Sequence, residues 1–123
     1  MKLVVIESPY AGDVEANLTY ARACMADSLK RGEAPTASHL LYTQPGILDD
    51  DKPEERTLGI NAGLAWGANA ELVAVYTDRG MSRGMALGIE AATKRGTPVE
   101  YRSIAVDGHC SPVPPEQLEA GRR

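Results

Sequence analysis

Leu72-Val73-Ala74-Val75-Tyr76 is an unbroken apolar run, and it limits the fold of this chain more than any other segment. A strand with water on one face alternates apolar and polar residues, whereas a short continuous run fits a strand covered on both faces, as in a parallel sheet. Parallel strands need long crossovers, so helices must flank this one. The chain supplies them. Lys2 to Ile6 reads as a first strand, ended by the loop Glu7-Ser8-Pro9-Tyr10-Ala11-Gly12-Asp13. Val14, Leu18, Ala21, Met25 and Leu29 then recur at helical spacing, with Asp13 at the N-cap and Lys30-Arg31-Gly32 as a cationic, glycine-closed end. Thr36 to Tyr42 is the second strand candidate. Pro53 opens a second helix that runs to about Gly67, with Glu54 and Glu55 at its positive end and Leu58, Ala62, Ala65 and Trp66 as its apolar stripe. Ser82 caps a third helix carrying Met85, Ile89 and Ala92, closed by Lys94-Arg95-Gly96, and Pro98 to Ile104 makes a fourth strand.

Strands alternating with helices imply βαβ units with right-handed crossovers. The expected fold is a small three-layer α/β domain, Rossmann-like or flavodoxin-like, over residues 1–104, with a four-stranded parallel sheet in the order 2-1-3-4. Residues 105–123 read as a tail containing Pro112, Pro114 and Pro115. It is expected to pack over the sheet, to form a short helix at Glu116 to Ala120, or to stay partly disordered.

Composition narrows the function classes. The 123 residues are 43% hydrophobic and 24% charged, which is globular rather than disordered. A net charge of -4 without a basic run argues against a nucleic-acid polymer or a membrane surface as partner. No apolar stretch is long enough to span a bilayer, and MKLVVI is too short for a signal-peptide core, so a cytoplasmic protein is expected. Cys24 and Cys110 have neither metal-ligand spacing nor the density of a disulfide scaffold. Cys24 reads as a small buried hydrophobe. His109-Cys110 is a pair without partners for a metal, and neither a metal nor a cofactor is expected.

In open parallel sheets, ligands bind beyond the carboxyl ends of the strands. Three loops qualify: Glu7 to Asp13, His39 to Gly46, and Asp78-Arg79-Gly80-Met81-Ser82-Arg83-Gly84. In the third, glycines, a hydroxyl and a helix N-terminus outline an anion site to which Arg83 adds charge; the competing reading is a plain capped turn with solvated arginines. Neither glycine-rich loop matches a Walker A sequence or a full G-x-G-x-x-G fingerprint. Glu7 and Asp78 end neighbouring strands, where paired carboxylates perform acid-base or nucleophilic work, or merely cap helices. His39 is a candidate ligand-binding or acid-base group, or a structural one. Tyr10 stands at a loop tip, as a ring to stack on a nucleobase or as a lid over the core.

Ile6-Glu7-Ser8-Pro9-Tyr10, Gly63-Leu64-Ala65-Trp66-Gly67-Ala68-Asn69-Ala70-Glu71-Leu72 and above all Gly80-Met81-Ser82-Arg83-Gly84-Met85-Ala86-Leu87-Gly88-Ile89-Glu90-Ala91-Ala92 resemble the nucleoside 2-deoxyribosyltransferase-like superfamily, over roughly residues 2–104. In that family a glutamate early in a helix attacks the anomeric carbon, forms a covalent glycosyl-enzyme and releases the base for exchange or hydrolysis. The matching position here is Ala86, which has no nucleophilic atom, and Glu90 follows one helical turn later. The resemblance implies that Ser82 and Gly84 hold the sugar or 5′-phosphate and that Ser8 to Gly12 line the base and sugar. It also implies that Asp78 assists the base or sugar, and that a neighbouring subunit of a homo-oligomer completes the pocket.

The leading expectation is therefore a nucleoside- or nucleotide-binding domain that cleaves or transfers an N-glycosidic bond. Its catalytic carboxylate would come from Asp78, Glu7 or Glu90, and its ligand contacts from Ser8, Tyr10, Gly12, His39, Ser82, Arg83 and Gly84. Two alternatives stay open: a binder of a nucleotide-derived ligand without turnover, favoured by Ala86, and a structural or interaction module with an empty cleft.

Overall fold

The computed structural model describes residues 1–104, so the expectations for the His109-Cys110 pair and for a helix at 116–120 lie outside the described residues. Four strands, β1 (Leu3–Glu7), β2 (Ala34–Thr36), β3 (Leu72–Tyr76) and β4 (Val99–Arg102), form one parallel sheet in the order β2-β1-β3-β4. Three helices connect them: α1 (Val14–Lys30), α2 (Pro53–Gly67) and α3 (Arg83–Arg95), with a short 3-10 turn at Ser38–Leu40. The doubly covered α/β fold and its strand order are those expected from the alternation of elements.

Side-chain alternation along the strands sorts the core into two faces. Val4 and Ile6 of β1 join Leu72, Ala74 and Tyr76 of β3 beneath Tyr20 and Cys24 of α1. Val73 and Val75 face the other way, against Met85 and Ala92 of α3 with Val5 beside them. All five residues of β3 are buried, which explains its unbroken apolar run. Glu7 follows the parity of Val5, so its carboxyl hangs on the α3 face, with Val75 as its register partner at the carboxyl end of the sheet.

Local signals place the helix ends. Asp13 accepts from Ala16 N at the start of α1. Ser82 Oγ accepts from Met85 N at the start of α3, and Gly96 closes that helix at φ 78°, a left-handed conformation that glycine adopts without strain.

Two expectations are corrected. The second strand is Ala34–Thr36 rather than Thr36 to Tyr42, and His39 stands in the 3-10 turn that follows. Among the described residues β2 is an edge strand, a position that tolerates Pro35. On α2, Leu58 and Trp66 are each 59% exposed instead of forming the inward stripe. The inward side is built on Gly59, Gly63 and Gly67, at successive i, i+4 spacing. A Cβ at these positions would stand 3.3 Å from Leu48, 3.5 Å from Ser38 and 3.3 Å from Arg95 respectively. Close approach, rather than side-chain burial, decides which face of α2 turns inward.

Candidate functional site

A cleft with a cavity volume of about 70 Å³ runs between α2 and α3 over the sheet and opens to solvent. Val5 and Val73 form its floor. Ser38, His39 and Gly84 stand toward the carboxyl end of the strands, and Gly67 and Arg95, the last residues of α2 and α3, close the opposite end. Leu64 and Leu87 supply apolar walls, with Trp66 at the rim. The site therefore extends down the sheet face, beyond the strand-end loops where ligands bind in most open sheets.

Glu7 is the acidic side chain of this cleft. Its position depends on a glycine in α3: a Cβ on Gly88 would lie 2.1 Å from Glu7 Oε2 and 2.6 Å from Cδ, so the carboxyl occupies the volume left by the missing side chain. No hydrogen bond or ion pair to this carboxyl is formed among the described residues. Burial without a compensating cation disfavours the ionised form, and the Glu7 pKa is raised to about 8. A carboxyl that titrates near neutrality and opens on a cleft is a candidate for proton transfer.

His39 also lines the cleft, and its ring stacks on Tyr10 with centroids 4.9 Å apart at 25°. Burial lowers the His39 pKa, partly offset by the negative charge of Asp50. Tyr10 itself is not among the residues lining the cleft.

The other expected site residues lie elsewhere. Asp78 accepts from Tyr20 Oη at 2.6 Å, from Ile104 N at 2.9 Å and from Ser103 Oγ, while its own N–H donates to Tyr20 Oη. These partners tie it to α1 and to the end of β4, the opposite side of the sheet from Glu7. The two carboxylates expected to approach each other do not interact. Glu90 is on the solvent face of α3, 64% exposed and 3.3 Å from Lys94 Nζ. Ala86 is exposed on that helix and outside the cleft lining, whereas Leu87 and Gly88 face inward. Ser82 is engaged as the α3 cap, Arg83 is exposed, and Gly12 sits in the β1–α1 loop at φ 98°. Ser8 is 1% exposed, and its Oγ has no hydrogen-bond partner among the described residues.

Of the expected residues the structure thus gathers Glu7, His39 and Gly84 into one cleft, with Tyr10 stacked on His39. Sequence reasoning missed Gly63, Gly67, Gly88 and Arg95. Their available signal was the pairing of glycines four apart, 63 with 67 and 84 with 88, within helices that otherwise disfavour glycine. Among the described residues no group of three His, Cys, Asp or Glu is arranged to hold a metal ion, and no helix is long and apolar enough to cross a membrane.

A family described as Domain of unknown function (DUF7768) matches residues 2–102. The chain belongs to that family. No curated protein matches this DUF7768 chain in sequence. Several solved structures share its fold. The 2-deoxyribosyltransferase of the psychrotolerant bacterium Bacillus psychrosaccharolyticus superposes with a TM-score of 0.67 at 15% identity, over 98% of the DUF7768 chain and 82% of its own. A conserved protein of Enterococcus faecalis V583 gives 0.57 at 18% identity, over 82% of this chain and 62% of its own. The CMP N-glycosidase BcmB of Clostridium botulinum gives 0.51 at 12% identity, over 98% and 83%. The DUF7768 domain thus has the nucleoside 2-deoxyribosyltransferase-like fold, as the resemblance implied.

Proposed function

We propose that this protein binds a nucleoside or nucleotide in the cleft between α2 and α3 and cleaves or transfers its N-glycosidic bond, with Glu7 as the reacting carboxylate. The observation that carries this reading is the Glu7 carboxyl lodged over Gly88 without a protein partner among the described residues. The similar solved structures named for a 2-deoxyribosyltransferase and a CMP N-glycosidase supply the reaction class.

In the ionised state a Glu7 oxygen attacks C1′ of the sugar. The C1′–N bond breaks, its electron pair leaves with the base, and the base takes a proton from solvent through His39. The resulting glycosyl ester is then opened at C1′ by water, giving hydrolysis, or by a second base, giving exchange. Asp78 is the weaker choice, because its oxygens already accept from Tyr20, Ser103 and Ile104.

The test is incubation with nucleosides, deoxynucleosides and their 5′-monophosphates, following free base by chromatography with mass detection. Base release that Glu7→Gln abolishes, together with a sugar adduct on the intact protein, is the expected result. A second reading, binding without turnover, is favoured by one observation: no carboxylate of α3 faces the cleft. Ligand-induced thermal stabilisation with no base release would establish that reading in place of the first.

A further inference from the structure

We propose that Arg95 forms an anion subsite at the far end of the cleft and reads the 5′-phosphate of a nucleotide there. The inference rests on the nucleotide reading of the cleft given above. Arg95 is the one Lys or Arg among the described residues that lines this cleft. Its guanidinium lies where α2 has no side chain: a Cβ on Gly67 would stand 3.3 Å from Nη2 and 3.9 Å from Nη1. Two glycines thus seat two side chains of opposite charge in one groove, Gly88 seating Glu7 and Gly67 seating Arg95. Arg95 makes no ion pair among the described residues. The nearby acid of α3, Glu90, is paired with Lys94 instead.

The groups expected to take a phosphate at the mouth of α3 are placed differently. Ser82 Oγ is occupied as acceptor from Met85 N, and Arg83 lies outside the lining, whereas Arg95, exposed like Arg83, borders the cleft. From Gly88 to Arg95 is about 10 Å along the helix axis, and helical side chains lean back toward the N-terminus, which shortens the gap between the two charged groups. A sugar-phosphate arm spans such a distance. Between them the floor is Val5 and Val73, so a ligand that satisfies both ends has its reacting carbon at Glu7 and its anion at Arg95. A guanidinium matches a phosphate monoester with paired donors, and in a chain of net charge -4 such a local cation is needed to hold one.

The experiment is titration calorimetry on the full chain with each deoxynucleoside and its 5′-monophosphate, comparing wild type, Arg95→Ala, Arg95→Lys and Arg83→Ala. The expected result is that Arg95→Ala weakens the monophosphates about tenfold or more and the nucleosides less than about twofold. Arg95→Lys should recover part of the loss, and Arg83→Ala should leave the monophosphate preference unchanged. Arg95→Gln, which keeps most of the side-chain stem, replaces Arg95→Ala if the latter fails to fold by circular dichroism. The inference is overturned if Arg83→Ala removes the preference, if Arg95→Ala weakens both ligand forms alike, or if monophosphates bind no tighter than nucleosides. In each of these cases the nucleotide reading of the cleft survives. If none of the compounds binds to folded protein, that reading fails and this inference fails with it.

Discussion

At the level of single residues, the behaviour of Glu7 follows from its being surrounded by apolar walls and a glycine backbone. An unfolded glutamate ionises near its ordinary value of 4.5, whereas the Glu7 pKa is raised by burial to about 8. Between those values the folded state binds the extra proton, so stability falls as pH rises and the loss is complete above about pH 8. His39, whose pKa burial lowers, acts oppositely below the ordinary histidine value of 6.5, because there the unfolded state binds the extra proton. The interval above 6.5 therefore isolates Glu7. From there to pH 8, thermal denaturation should show a decline of about 2 kcal/mol at most that is absent in Glu7→Gln. If Glu7 is the nucleophile, kcat/KM should rise over the same interval and level off as it ionises. Asp78→Asn should act chiefly on stability, costing about 1–3 kcal/mol in urea denaturation, since it alters an acceptor shared by Tyr20, Ser103 and Ile104. Glu7 and His39 were legible as candidates because chemistry-bearing residue types at strand ends announce themselves. Arg95 was not, because a cation at a helix C-terminus has the same local signature whether it faces solvent or a cleft.

Among the elements, α2 and α3 show what caps reveal and what glycines conceal. The ends of α1 and α3 were readable from Asp13, Ser82 and Gly96, since capping is decided within a few residues. Met85, Ile89 and Ala92 also marked the apolar side of α3, but the glycine contacts were not readable, because a helical glycine states only that something comes close, and its partner lies far away in sequence: Glu7 for Gly88, Ser38 for Gly63. The short β2 was misplaced for a related reason, since an edge strand ends where its neighbour stops pairing. Gly88→Ala tests the α3 seat. Alanine is the better helix former by about 1 kcal/mol, and the atoms it would meet are the movable end of one side chain. The variant should therefore remain folded by circular dichroism while the Glu7 carboxyl is displaced, lowering kcat/KM by on the order of a hundredfold.

Across the whole molecule, the strand order was legible because parallel strands joined by helices permit few arrangements, while the long-range polar ties were not. Arg102 of β4, 1% exposed, donates to Glu33 ahead of β2 at 2.9 and 2.7 Å, and also to Tyr76 and Glu100. This binds the two outer strands together beneath α1. The hydrogen bonds from Arg102 are the main cause of the lowered Glu33 pKa, so their contribution is present near neutral pH and lost on acidification. Glu33→Ala should cost about 1–3 kcal/mol at pH 7, read as a fall in the urea midpoint, by removing one of the two carboxylates paired with the buried Arg102 and leaving Glu100 and Tyr76 as its partners. The same architecture gives the Glu7 seat a mechanical meaning. Glu7 belongs to β1, an interior strand with neighbours on both sides, whereas Trp66 and Arg95 belong to helices that lie over the sheet. The carboxylate we propose to react is thus mounted on the frame, and the guanidinium we propose to hold the anion is mounted on a wall. A displacement of either helix would therefore change the cleft's width without moving the strand that carries Glu7.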